Sequence, residues 1–112
     1  MNYFDHDKYN VLVTGANGHL GESLSKGFAT MGANVFLNGR DRKKIFKLVE
    51  KFKKKNFKVI PAVFDINNYM QVKNFFKKNK TFHTIVNNAF ATKLNHYDFF
   101  EKKRFNNAFN TG

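Results

Sequence analysis

The chain has no cysteine, no tryptophan and a single proline, and its 8 acidic residues are outnumbered by 20 lysines and arginines. Without thiols there is no disulfide, no thiolate nucleophile and no cysteine-ligated zinc, and the absence suits a reducing compartment. Long apolar runs are missing as well: nowhere do the roughly 18 apolar residues of a membrane span follow one another. The opening MNYFDHDKYN carries acids and no apolar stretch, so we read it as neither a signal peptide nor an anchor. A soluble, cytoplasmic protein with no membrane partner is expected. At 112 residues the chain is one domain at most, large enough to bury a core but small for a complete two-site enzyme.

What is abundant is positive charge, a formal +12 at neutral pH. Clustered lysines can neutralise phosphates, which raises nucleic acid as a partner. The richest stretches, Lys51-Phe-Lys-Lys-Lys55 and Phe75-Phe-Lys-Lys-Asn-Lys80, fall at the expected ends of helices. Lysine there complements the negative end of the helix dipole. We therefore read the excess as a solvated face, and nucleic acid is not the expected partner. The numerous phenylalanines, Phe75-Phe76 and Phe99-Phe100 among them, are read as core rather than as stacking platforms for bases.

Hydrophobic periodicity orders the chain as alternating strands and helices. Asn10 to Thr14 is a short apolar run ending in glycine, after which Leu20, Leu24, Phe28 and Met31 recur at helical spacing and predict the packed stripe of a first helix. Gly32 should stop that helix, and Asn34 to Asn38 reads as a second strand closing at Gly39-Arg40. Asp41 can cap the next helix, with Ile45, Leu48, Val49 and Phe52 as its apolar stripe. A third strand is expected within Phe57 to Phe64, despite Pro61, and ends at Asp65. Met70, Val72, Phe75 and Phe76 mark a third helix, Thr84 to Asn88 a fourth strand, and Tyr97 to Phe109 a further helix. This alternation implies βαβ units, right-handed crossovers and a doubly wound parallel α/β sheet with helices on both faces.

Between the first strand and first helix stands Thr14-Gly-Ala-Asn-Gly-His-Leu-Gly21. In a dinucleotide-binding unit one glycine permits the tight turn, the next lets backbone approach a pyrophosphate, and the last lets helix and sheet pack closely. Gly15, Gly18 and Gly21 can fill those roles. The helix starting near His19 and Leu20 would aim its free N–H groups at the phosphates. His19 can also donate to a pyrophosphate oxygen, or stand exposed in the first turn. At the end of the second strand, Arg40 favours the 2′-phosphate of NADP, whereas Asp41 beside it can serve the ribose of NAD if the loop turns differently. None of His6, His19, His83 and His96 has a partner at metal-ligand spacing, so no metal site is expected.

Four segments in this order resemble the short-chain dehydrogenase/reductase family: Thr14 to Gly21, Asn38-Gly39-Arg40, Phe64-Asp65-Ile66 and Val86-Asn87-Asn88-Ala89. The resemblance implies a Rossmann-like fold over residues 10–112, preceded by an extension of residues 1–9. It implies a nicotinamide dinucleotide cofactor, NADP before NAD, held by Gly15, Asn17, Gly18, His19, Leu20 and Gly21 of the loop and by Arg40. By the same resemblance Asp65 and Ile66 flank the adenine, and Asn88 and Ala89 tie the central strand to the cofactor ribose. The stretch Phe109-Asn110-Thr111-Gly112 resembles the end of the family's helix whose asparagine holds a water for the proton relay, which makes Asn110 the catalytic counterpart.

The family's serine and its Tyr-x-x-x-Lys, which would follow that asparagine, do not follow Asn110 here. We expect a fragment or frameshifted product covering the family's N-terminal half, inactive alone. A full-length form would be a homo-oligomer that moves a hydride between NADP(H) and a small-molecule carbonyl or alcohol. The alternative is a non-catalytic dinucleotide-binding module or sensor.

Overall fold

A computed structural model describes residues 9–79 and 81–90. Among the described residues four strands, β1 (Asn10–Val13), β2 (Asn34–Gly39), β3 (Val59–Val63) and β4 (Thr84–Val86), alternate with three helices, α1 (His19–Thr30), α2 (Arg42–Lys53) and α3 (Tyr69–Lys78). A short 3-10 turn, Asn88–Phe90, follows β4. All pairings are parallel and the strand order is β3-β2-β1-β4. The doubly wound α/β architecture expected from the alternation is thus present, with the predicted β4 shortened by the turn that begins at Asn88.

Each βαβ crossover must be right-handed, and this decides which face each helix covers. The steps from β1 to β2 to β3 run in one direction, and α1 and α2 share one face. The step from β3 to β4 runs back past β1, so α3 lies on the other. Alternating side chains of each strand serve the two layers in turn. Val11, Val13, Val35, Leu37 and Val59 pack with Ala29 of α1 and with Ile45, Leu48, Val49 and Phe52 of α2. Leu12, Ala62 and Phe64 pack with Val72 and Phe76 of α3, joined by Phe36, Phe75, Phe82 and Ile85. Aromatic rings fill that second layer, with Phe75 stacked on Phe64 at 4.6 Å between centroids.

Two sequence features are accommodated by position. The Phe64 N–H donates to Gly39 O, so strand alternation turns the Pro61 nitrogen to the unpaired side of β3, where a missing donor costs nothing. Helix α2 begins with Asp41 accepting from the Lys44 N–H at 3.2 Å, as its sequence predicts. It buries all four residues of its predicted stripe.

Helix α1 corrects the sequence expectation. Its buried residues are Gly21, Ser25 and Ala29, whereas of the predicted stripe Phe28 packs partly buried against the core, Leu24 is half-buried, and Leu20 and Met31 are 58% and 41% exposed. Small residues at every fourth position let the helix backbone settle close to the sheet, closer than a stripe of leucines would permit. The one polar group on that face is satisfied locally, because the Ser25 hydroxyl donates to Gly21 O at 2.7 Å. Apolar periodicity reports size as well as hydrophobicity, and here the packed face is the small one. Met70, expected in the α3 stripe, is likewise exposed.

This assignment of faces is checked by urea unfolding of the purified chain. Ala29→Leu forces bulk into the contact and should cost about 1–3 kcal/mol, while Met31→Ser should stay within about 0.5 kcal/mol. The opposite order would restore the predicted stripe as the packed face.

Candidate functional site

Strand order reverses at β1, whose neighbours are β2 on one side and β4 on the other. In open parallel sheets a crevice forms at such a point, outside the carboxyl ends of the strands. Here it is walled by the segment after β1 and the segment after β4.

The loop after β1 is built around one carbonyl. Gly15 has φ +62°, a conformation open to glycine at no steric cost. Its oxygen accepts from the Gly18 N–H at 3.2 Å and from Asn88 Nδ2 at 3.2 Å. A Cβ on Gly21 would lie 2.0 Å from that oxygen, so only glycine fits where α1 crosses the loop. Gly18 differs: a Cβ there would meet nothing nearer than 3.6 Å. The protein's own packing does not require glycine at position 18.

Gly18 is also the N-cap of α1 and provides no side-chain cap, whereas Asp41 caps α2 and Asn68 caps α3. The first-turn N–H groups of α1 and the positive end of its dipole are therefore left at the crevice. Asn17, Gly18, His19 and Leu20 are all exposed around it. Glu22, the one acid in this turn, is held by Lys51 of α2 in an ion pair of 2.5 Å.

Across the crevice, Thr14 joins the two central strand ends. Wholly buried, its hydroxyl donates to Val86 O at 3.2 Å and accepts from the Ala89 N–H at 3.1 Å. A Cβ on Gly15 would sit 3.3 Å from Ala89 Cα, so the two walls touch. The Asn88 amide, assigned by resemblance to a cofactor ribose, spends an N–H on Gly15 O and so braces the crevice. Beside it, Asn87 Oδ1 is buried without a hydrogen-bond partner.

On the β2 and β3 side, Arg40 is exposed immediately beyond β2. Asp41, the alternative ribose partner, is the cap of α2. Asp65 follows β3; its carboxylate accepts from the Asn67 N–H at 2.9 Å, and its own N–H donates to Gln71 Oε1 at 2.8 Å. Ile66 packs at the margin of the α3 layer.

The fold thus carries Gly15, Asn17, Gly18, His19, Leu20, Gly21, Arg40, Asp65, Ile66, Asn88 and Ala89 to one edge of the sheet. Asn110 lies outside the described residues. Three polar side chains that organise this edge, Thr14, Asn38 and Gln71, receive no role of their own from sequence. Thr14 and Asn38 had a readable signal, as polar residues closing otherwise apolar strands. Gln71 had none, since its partner is a backbone N–H on the preceding loop.

A Tyr-x-x-x-Lys spacing does occur ahead of Asn110, at Tyr69 and Lys73. It lies on α3, with Tyr69 partly buried against the aromatic layer and Lys73 exposed. Packing of the helix accounts for its tyrosine.

Comparison with known proteins agrees with this geometry. The family model described as short chain dehydrogenase matches residues 9–112. Gluconate 5-dehydrogenase of Gluconobacter oxydans is 41% identical over 56 residues, half of this chain but 22% of that protein. The crystal structure of a gluconate 5-dehydrogenase from Burkholderia cenocepacia, in complex with NADP and tartrate, superposes with a TM-score of 0.71 at 26% identity, covering 91% of this chain and 44% of that one. A 3-oxoacyl-[acyl-carrier protein] reductase with bound NAD from Brucella melitensis shares the fold, with a TM-score of 0.66 at 23% identity over 73% of this chain and 32% of that one. The chain therefore spans less than half the length of each of these relatives. Since the family model extends over nearly every residue, including the glycine loop and both walls of the crevice, the chain belongs to the short-chain dehydrogenase family.

Proposed function

We propose that the crevice binds a nicotinamide dinucleotide, NADP in preference to NAD, as the cofactor half of an oxidoreductase acting on a carbonyl or alcohol. The observation that carries the reading is the contrast between two glycines: the fold forbids a side chain at Gly21 but leaves room for one at Gly18. An exposed, uncapped helix start whose glycine is unneeded for packing suits a pyrophosphate approaching the backbone.

In this reading Gly15, Asn17, Gly18, His19, Leu20 and Gly21 form the phosphate cradle. Arg40 meets the 2′-phosphate, Asp65 and Ile66 flank the adenine, and Asn88 and Ala89 hold the ribose side of the crevice. The presence of NADP in the Burkholderia relative supports the choice of cofactor. Engagement of Asp41 as a helix cap supports Arg40 over it as the discriminating residue. When bound, the nicotinamide gives or takes the hydride. Asn110 is the proposed counterpart of the family's relay asparagine. The tyrosine and lysine that would supply the proton are not provided by Tyr69 and Lys73 on α3. The 112 residues then bind without turning over, and the substrate class rests on the family.

Titration of the purified chain with NADPH, followed by nucleotide fluorescence, tests the reading directly. Gly18→Ala should keep the urea midpoint near that of the parent while weakening NADPH by tenfold or more, a loss of about 1.4 kcal/mol. Gly21→Ala should instead prevent folding. Equal stability losses without a selective binding defect at Gly18 would overturn the assignment. Replacement of Arg40 by Ala removes a charge-assisted contact worth about 1.5–3 kcal/mol, so the NADPH dissociation constant should rise tenfold or more while that for NADH barely moves. Oxidation of NADPH by the 112-residue chain with a panel of carbonyl substrates should stay at the uncatalysed rate; robust turnover would refute the division between binding and chemistry.

A further inference from the structure

Asn38 is the last side chain of β2 before Gly39, and it is 1% exposed in a strand whose other buried side chains, Val35 and Leu37, are apolar. Its amide donates both hydrogens to β3 and its continuation, to Ala62 O at 2.9 Å and Phe64 O at 3.0 Å. Its backbone carbonyl accepts the Ala16 N–H of the glycine loop at 2.8 Å. Phe64 lies beyond the last paired residues of β2 and β3, Gly39 and Val63. The Asn38 side chain thus prolongs the join between the two strands, up to the residue before Asp65.

The next residue is gripped as well. A Cβ on Gly39 would fall 2.7 Å from Ile45 Cδ1 and 2.9 Å from Asn17 Oδ1. The α2 core and the glycine loop therefore close over the backbone from which Arg40 emerges. Three segments meet at Asn38: the loop through its carbonyl, Arg40 through the chain, and Phe64, the residue that leads into Asp65-Ile66, through its amide.

We propose that Asn38 is a positioning residue that sets the glycine loop, Arg40 and Asp65 in one register and thereby determines NADP-over-NAD discrimination. It touches no cofactor itself. The inference rests on the dinucleotide reading above and extends it to a buried residue. No other side chain of similar size supplies the same contacts: leucine brings no donor, and aspartate faces two carbonyl oxygens with acceptors.

The test is the ratio of NADPH to NADH dissociation constants, measured by fluorescence titration on the parent chain, Asn38→Ala, Asn38→Ser and Arg40→Ala, with circular dichroism confirming the fold of each. Unfolding of a fraction of the sample weakens both nucleotides alike and leaves the ratio unchanged, so a merely structural role does not move it. The parent should prefer NADPH by tenfold or more. Asn38→Ala should cut that preference at least fivefold, Asn38→Ser, keeping one donor, should recover part of it, and in the Arg40→Ala background Asn38→Ala should change the ratio no further. An unchanged ratio in folded Asn38→Ala overturns the proposal. If that variant does not fold, an unchanged ratio in Asn38→Ser overturns it; if neither folds, Asn38 is a residue of the fold and the proposal is overturned. A parent chain that binds neither nucleotide refutes the dinucleotide reading itself, an outcome distinct from these.

Discussion

Helix α1 rests on a backbone carbonyl, and most of this structure follows from that contact. Gly15 turns its oxygen toward the Gly21 backbone so closely that a methyl group at position 21 would overlap it. The helix cannot stand off the sheet, and its packed face must be Gly21, Ser25 and Ala29. The same approach puts the helix start, without a side-chain cap, beside the carboxyl end of β1. A turn designed only for economy could have capped α1 with a serine or aspartate, as α2 and α3 are capped by Asp41 and Asn68. Leaving those N–H groups open costs stability unless a ligand or water meets them.

The Gly15 carbonyl also organises the far wall. Its acceptance of the Asn88 amide, together with the Thr14 hydroxyl bridging Val86 and Ala89, pins β4 to β1 at the point where the sheet changes direction. These are buried or half-buried polar contacts between segments more than 70 residues apart in the chain. Each would be expensive to leave unmade. They give the crevice a width set by hydrogen bonds rather than by side-chain packing alone. Asn38 does the corresponding job on the β2 and β3 side, so the candidate site is framed by three polar residues that end apolar strands or begin the segment after one.

Much of the fold was legible because its signals are local. Strand and helix periodicities, the Asp41 cap and the Ile45-Leu48-Val49-Phe52 stripe each depend on neighbours within a turn or two. The alternation of elements then leaves few topologies once crossovers are right-handed. The site was legible as a set of segments through the family resemblance, and the folded chain gathers those within the described residues at one edge. Less legible were the roles inside it. Asn88, to which the resemblance gives a ribose role, also braces a loop carbonyl with its amide. Asp41 was weighed as a ribose ligand, yet its carboxylate caps α2. Gln71 carries no local signal, because the group it holds is the backbone of Asp65.

By itself the sequence determined the order of elements, the parallel α/β class and the glycine loop between β1 and α1, since these arise from periodicity and residue size along a contiguous chain. Only the tertiary structure decided which face of α1 is buried, which of the three loop glycines the fold cannot replace, and which polar side chains serve the protein's own backbone. The reason is steric and electrostatic: each of those outcomes depends on how near two backbones come and which carbonyl meets which donor. Such distances exist only once residues far apart in the chain have been brought together.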